Sequence, residues 1–433
     1  MKILVTNTVL LNGGDAAILI AIVRQLRTAF GADAHIEICE ARPDAAAALY
    51  PEFIVREALV NAFLMPARDG WLRRIWGVIR FAMWHLARPR AYAAARLHAG
   101  GRPRLARLLL TRRQRAAFEA YAGADLIVST GGTYLVEHYS LAPRLFEFTI
   151  ARLLRKPLVF YTQSLGPFNR PAHRKKLRAV FDDAQLVLLR DEQSLGYLRD
   201  IGVANDRVHV MPDVVFALRD PDRRPVRSDE GRPRVAVSVR SWQHFRNQSP
   251  EDGMRGYLQA VAAGVEHLVT RYDAEVVFLS TCQGVPAYRI DDSGVGRQVV
   301  DLLPASVRPR VRVDADFHRP EALLEALAGF DLVIATRMHM AILSMLAGTP
   351  VAPIVYEFKT RELMELVDYA AWAGTATTMD IDTLRGEELT KTIDTLLARL
   401  PEARRILSDR VEGIHRHTER AVDLLRALPI ATE

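Results

Sequence analysis

Cysteine is scarce in this chain. Its 433 residues contain two, Cys39 and Cys282, in separate apolar contexts with no CxxC pair and no Cys/His spacing. That excludes a disulfide framework and a structural zinc site, and it suits a reducing compartment. Acid is almost missing from one long stretch: between Arg68 and Arg115 stand thirteen arginines and a single carboxylate, Asp69. A GxGxxG fingerprint is lacking, so the usual dinucleotide fold is weakly supported. No recognised nucleic-acid module accompanies the basic charge, which argues against RNA or DNA as a partner. Residues 338–356 hold no charged side chain, but Gly348, Pro350 and Pro353 interrupt them, which argues against a membrane span. The first residues carry one lysine and an apolar run. The tight Asn12-Gly13-Gly14-Asp15 sequence then breaks that run without a small-residue cleavage site, so a first strand is expected and not a signal peptide.

What is present is the composition of a soluble globular protein, 49% hydrophobic and 25% charged, long enough for two domains. Short apolar runs alternate with helical stretches throughout, which predicts parallel sheets. Strands are expected at 2–5, 36–39, 125–130, 157–162, 186–189 and 208–211, then at 235–239, 276–279, 311–313, 332–335 and 351–356. Residues 125–130 (DLIVST) resemble 331–336 (DLVIAT), and each is followed by a helix and a proline-led strand. Two similar Rossmann-like domains facing across a cleft are therefore expected. The first covers 1–218 with a helical basic insert at about 46–122. A Pro/Arg/Asp/Gly-rich linker follows at 219–234, and the second domain covers 235–433.

The chain is organised around residues 331–358. A buried strand ends at Ala335, Thr336 can cap a helix, and Gly348 closes that helix. Arg337, Met338 and His339 fall at the turn between strand and helix, outside the carboxyl end of a strand, where open α/β sheets bind ligands. A helix N-terminus there favours anions. Arg190 and Arg240 also sit at strand ends, and the Asn12–Asp15 glycine turn opens a helix that can approach a ligand closely. Three strand-end arginines beside a glycine turn suit an acidic, phosphate-bearing ligand better than three surface ion pairs.

The segment 68–115 carries +12 on a chain whose total is +7, and three of the five tryptophans lie there: Trp71, Trp76 and Trp84. Basic helices bearing Trp, Phe and Leu suit an anionic membrane surface.

Taken together, these residues resemble the polysaccharide pyruvyltransferases. The resemblance rests on Asn12 with Gly14-Asp15, 125–132, Gln163 to Pro167, Arg190-Asp191 with Ser194, Pro212-Asp213, Ser238-Val239-Arg240, Arg337-Met338-His339, and Tyr356 with Lys359. It departs at Thr133, where the family's glycine motif has a third glycine, and at Val136-Glu137-His138, where an acid often follows. The resemblance implies a B-type glycosyltransferase-like fold and transfer of pyruvate from phosphoenolpyruvate to a sugar as a ketal. It implies His339 as catalytic acid and Arg337, Met338, Arg190 and Arg240 as donor-binding residues. Asn12, Gly14, Asp15, Gly131, Gly132, Gln163, Tyr356 and Lys359 are expected at the acceptor or cleft. No cofactor and no metal is expected, phosphoenolpyruvate being the co-substrate. The acceptor is expected to be a lipid-linked oligosaccharide, with the protein peripheral to the inner face of the cytoplasmic membrane. A nucleotide-sugar glycosyltransferase of the same architecture and a non-catalytic polysaccharide-assembly scaffold are the alternatives.

Overall fold

Short apolar runs bounded by Gly, Pro or charged residues form the strands of this protein, and the longer periodic stretches between them form helices. The structure, a computed structural model, describes residues 1–64, 73–137, 139–222, 231–375 and 378–430. In chain order the strands of the first half are β1 (Lys2–Thr6), β2 (His35–Glu40), β3 (Ile54–Glu57), β4 (Leu126–Ser129), β5 (Gly132–Leu135), β6 (Leu158–Leu165), β7 (Leu186–Leu189) and β8 (Val208–Val210). Those of the second half are β9 (Arg234–Ser238), β10 (Glu275–Phe278), β11 (Val311–Val313), β12 (Leu332–Ala335), β13 (Val351–Val355) and β14 (Met379–Asp380).

They make two parallel sheets, ordered β3-β2-β1-β4-β6-β7-β8, with β5 beside β6, and β11-β10-β9-β12-β13-β14. Each sheet winds outward from its first strand and then resumes on that strand's other side. The order therefore reverses between β1 and β4 and again between β9 and β12, as in doubly wound folds. Strands β4, β7, β12 and β13 are buried along their whole length, because helices cover both faces of such a sheet. The expected class, two Rossmann-like α/β domains, is the observed one. The repeated DLIVST and DLVIAT runs are β4 and β12, which occupy equivalent places in their sheets. The parallel stops after β4. Gly132, at φ 131°, turns the chain into β5 before the next helix, Ala142–Leu153.

The compact units are not contiguous in sequence. One comprises Met1–Leu10, Ile18–Val214 and Thr418–Glu433; the other comprises Leu11–Ala17 and Val215–His417. This differs from the contiguous partition at 218 and 235, because two long helices change unit along their length. The helix Gly13–Phe30 starts in the second unit, and Leu400–Arg426 ends in the first. Of the expected linker at 219–234, residues 223–230 lie outside the described residues.

The segment 46–122, expected to be helical throughout, contains β3, which pairs in parallel with β2 from Glu37↔Ile54 to Glu40↔Glu57. Arg56 fixes that pairing with two hydrogen bonds to the Glu37 carboxylate, at 2.6 and 2.8 Å. Helices Leu59–Phe63, Arg73–Ala99, Pro103–Leu108 and Arg112–Ala122 follow. Trp84, counted among the membrane-facing aromatics, points inward instead. Its ring meets Phe146 edge-on, with centroids 4.9 Å apart. Trp71 lies outside the described residues, and nothing is described of the Trp76 side chain.

Candidate active site

In the second unit the register of β9 against β12 pairs Ser238 with Ala335. Arg240 and Arg337 therefore each stand two residues beyond neighbouring strand ends. Thr336 does not cap the next helix as expected. Its backbone N–H is taken by the Ser238 carbonyl at 2.9 Å, which extends the strand pairing, and its hydroxyl bonds Tyr257 Oη at 2.7 Å. Arg337 is the N-cap residue, and Met338 and His339 form the first turn of the helix Met338–Leu346. Gly348, at φ 77°, ends that helix as its position predicted.

His339 is half-buried and sits against the Asn12–Gly14 turn. A Cβ on Gly14 would lie 2.5 Å from His339 Nδ1, so only glycine leaves room for the ring. Asn12 shapes this turn as a helix cap. Its Oδ1 accepts from Gly14 N at 2.9 Å, and its carbonyl accepts from Ala16 N at 2.8 Å. Gly13 N donates to the Thr281 carbonyl at 2.8 Å. Asp15 follows in the first helical turn. This turn belongs to the second unit although it lies near the N-terminus, so Asn12, Gly14 and Asp15 stand with His339 and not with the first sheet.

Arg337 makes two parallel bonds to Asp292, Nε to Oδ2 and Nη2 to Oδ1, each 2.8 Å. Ser280 Oγ donates to Asp292 Oδ2 at 2.5 Å. Two of the five guanidinium N–H groups are used there, which leaves three for a ligand. Burial pushes the nearby Cys282 thiol up to about 11, although Arg337 pulls the other way, so it is a neutral thiol at physiological pH. Burial likewise raises the Tyr288 phenol to about 12.

Arg240 lies 4.2 Å from the Tyr356 ring centroid and 5.1 Å from that of Trp242. Among the described residues it has no carboxylate partner. Trp242 Nε1 and Ser238 Oγ are buried there without a hydrogen-bond partner. Lys359 Nζ stands 5.9 Å from the Tyr356 ring and 2.6 Å from Glu357 Oε2. Tyr356 is also within electrostatic range of Arg337.

The remaining expected residues, Arg190, Gly131, Gly132 and Gln163, belong to the first unit. Arg190 is 6% exposed and donates to Asp213 Oδ2 at 2.7 Å, Ser164 Oγ at 2.6 Å and Thr133 Oγ1 at 2.6 Å. Thr133, the departure from the glycine motif, is thus a partner of this arginine. Asp191 caps the helix Glu192–Asp200 through Ser194 N at 2.7 Å. Gly131 has no room for a side chain, since a Cβ would lie 2.8 Å from Thr162 Oγ1. Gln163 is fully buried and donates to Tyr134 Oη at 2.6 Å and to the Thr130 carbonyl. Glu137 accepts from Asn169 N, Arg170 N and His173, and His138 lies outside the described residues.

Sequence reasoning missed several neighbours. Asp292, Tyr257, Thr281 and Tyr288 reach the second-unit site from distant stretches and carry no local signal. Trp242 had one, an aromatic two residues past a strand-end arginine. In the first unit Arg144 donates to Asn7 Oδ1 at 2.6 Å and lies 5.0 Å from the Tyr134 ring centroid, at the ends of β1 and β4. Asn7 holds a left-handed backbone, φ 65°.

Residues 12–357 match the family model described as polysaccharide pyruvyl transferase. The amylovoran biosynthesis protein AmsJ of Erwinia amylovora is 30% identical over 249 residues, which are 56% of this chain and 59% of that protein. The match thus spans little more than half the length of that curated relative. Among solved structures, Anabaena HepE in complex with UDP and glucose is similar at a TM-score of 0.57 and 15% identity, covering 99% of this chain and 100% of that one. The UDP-GlcNAc 2-epimerase from Neisseria meningitidis, bound to UDP-GlcNAc, gives 0.56 at 12% identity, covering 98% and 99%. Identities this low show a shared fold alone, the two-domain Rossmann-like architecture of B-type glycosyltransferases and epimerases.

Proposed function

The chain belongs to the polysaccharide pyruvyl transferase family, and from that premise we propose that it transfers pyruvate from phosphoenolpyruvate to two hydroxyls of one saccharide, forming a ketal. The observation that carries this reading is the seat of His339. Its imidazole is half-buried at the start of a helix, held against the bare Cα of Gly14, with Arg337 two residues before it.

Phosphoenolpyruvate brings a phosphate and a carboxylate, and both need fixed cations and hydrogen-bond donors. Arg240 has no carboxylate partner among the described residues, Arg337 keeps three N–H groups beyond its pair with Asp292, and Trp242 Nε1 and Ser238 Oγ add unused donors. His339 as imidazolium protonates C3 of the enol phosphate. A saccharide hydroxyl then adds to C2 and gives its proton to the now neutral His339 imidazole. The C2–O bond to phosphate breaks, with the arginines stabilising the leaving oxyanion. The second hydroxyl closes the ketal, and its proton leaves with phosphate. The acceptor in this reading is a lipid-linked oligosaccharide at the inner face of the cytoplasmic membrane. AmsJ, named for amylovoran biosynthesis, supports a biosynthetic role.

Labelled phosphoenolpyruvate incubated with the protein and a membrane lipid extract tests this. Label should enter the lipid fraction, and His339→Ala should lower incorporation by about 10²–10⁴-fold while phosphoenolpyruvate still raises the melting temperature. Unchanged turnover in His339→Ala would remove the proposed acid. A melting temperature raised by a UDP-sugar and not by phosphoenolpyruvate would favour the glycosyltransferase alternative.

A further inference from the structure

The helix Arg73–Ala99 has two apolar stripes where a helix packed on one side needs one. Trp84, Ala87, Ala91 and Ala94 form the first and are buried in the core of the first unit. Ile79, Met83 and Leu86 form the second, spaced four and three residues apart on one face. They are 39%, 43% and 64% exposed. Arg90, exposed, continues this stripe by one more turn. The neighbouring helix Pro103–Leu108 repeats the mixture, with Leu105 and Leu108 exposed, Leu108 at 79%.

Charge accompanies the apolar groups. Arg90, Arg96, Arg102, Arg104 and Arg112 are exposed, and none has a carboxylate partner among the described residues. Arg107 and Arg113, by contrast, pair with Glu119 and Glu57. Arg90 stands on the stripe itself by its spacing, and no carboxylate among the described residues neutralises it. Among the described residues no helix is long and apolar enough to cross a membrane.

We propose that the helices Arg73–Ala99 and Pro103–Leu108 form a docking face for an anionic lipid bilayer, with Ile79, Met83 and Leu86 entering the headgroup boundary and the unpaired arginines meeting lipid phosphates. An apolar stripe at helical spacing beside unopposed arginines is what an interfacial helix requires. The face is independent of the donor chemistry, so it can fail while pyruvyl transfer stands, and the reverse.

Sedimentation of the full-length protein with phosphatidylcholine vesicles, with and without phosphatidylglycerol, tests this at low and high salt. Capture is expected on the anionic vesicles at low salt, with much less on neutral ones, and salt should weaken it. Arg90→Gln should weaken capture about fivefold, the effect of one arginine near an anionic surface. Leu86→Asp and Met83→Asp should each weaken it about tenfold or more without lowering the melting temperature. Equal capture by neutral vesicles, no capture at low salt, or full capture of Leu86→Asp would each overturn the proposal. So would a dimer in sedimentation equilibrium that Leu86→Asp dissociates, since that would give the stripe to a second copy of the chain.

Discussion

Arg337 and Asp292 form a bidentate pair, both bonds 2.8 Å, between a helix N-cap and the loop after β10. Both side chains are largely buried. Removing one partner leaves the other charge without compensation. Arg337→Ala should therefore destabilise the protein by about 3–5 kcal/mol. The double variant Arg337→Ala/Asp292→Ala should recover much of that loss, because no lone charge remains. Phosphoenolpyruvate affinity should not recover with it. Chemical denaturation and donor titration on the single and double variants separate the two roles. Normal affinity in the double variant would leave Arg337 a structural residue only.

Gly14→Ala tests the seat of the imidazole. The added methyl would meet His339 Nδ1 at 2.5 Å and Cγ at 2.8 Å, so the ring must move. A displacement of this size should cost about 10²-fold in turnover, while the donor-induced rise in melting temperature persists. Single-turnover rates beside thermal shifts would check this. Equal loss of donor binding would mean that the whole turn had collapsed.

Strand ends were legible in the sequence because buried parallel strands are short, apolar and bounded. Arg240, Arg337 and His339 could be placed from that pattern alone. Asp292 could not, because its role depends on the loop after β10 coming back to the end of β12. The allegiance of Asn12–Asp15 was hidden for the same reason: helical periodicity does not say which sheet a helix start will pack on. β3 was lost because Ile54-Val55-Arg56-Glu57 is too brief to show a period between helical flanks, and its partner Glu37 lies in another strand. Arg190 read as a ligand arginine from its strand-end position. Its three partners, Asp213, Ser164 and Thr133, come from three other places in the first unit.

Glu37 gives the first unit a pH dependence. Its side chain is buried, and burial alone would raise its pKa. The hydrogen bonds of Arg56, His35 and Lys2 outweigh that and hold it at about 2, against an ordinary 4.5. A depressed carboxyl stabilises the fold above its unfolded value, and that stability is lost as pH falls from 4.5 toward about 2. Glu37→Gln should be less stable by roughly 2 kcal/mol at neutral pH, with the gap to the parent protein closing across that acid window. Urea denaturation at several pH values measures it. A constant gap down to acid would mean that packing, not charge, is what the substitution removes.

Trp84 and Leu86 sit two residues apart on one helix and should respond in opposite ways. Trp84 is buried against Phe146, with Arg88 lying 5.7 Å from its ring centroid, so truncation opens a cavity inside the first unit. Trp84→Ala should cost about 3–5 kcal/mol in urea denaturation. Leu86→Ala should stay within about 0.5 kcal/mol, as exposed positions do. In vesicle capture the order reverses: Leu86→Ala should weaken binding, and a Trp84 variant that remains folded should bind like the parent. An interior tryptophan and a lipid-facing leucine predict this crossed pattern. A helix that turned its tryptophan outward would give the opposite one, with Trp84→Ala near neutral for stability and poor at the membrane.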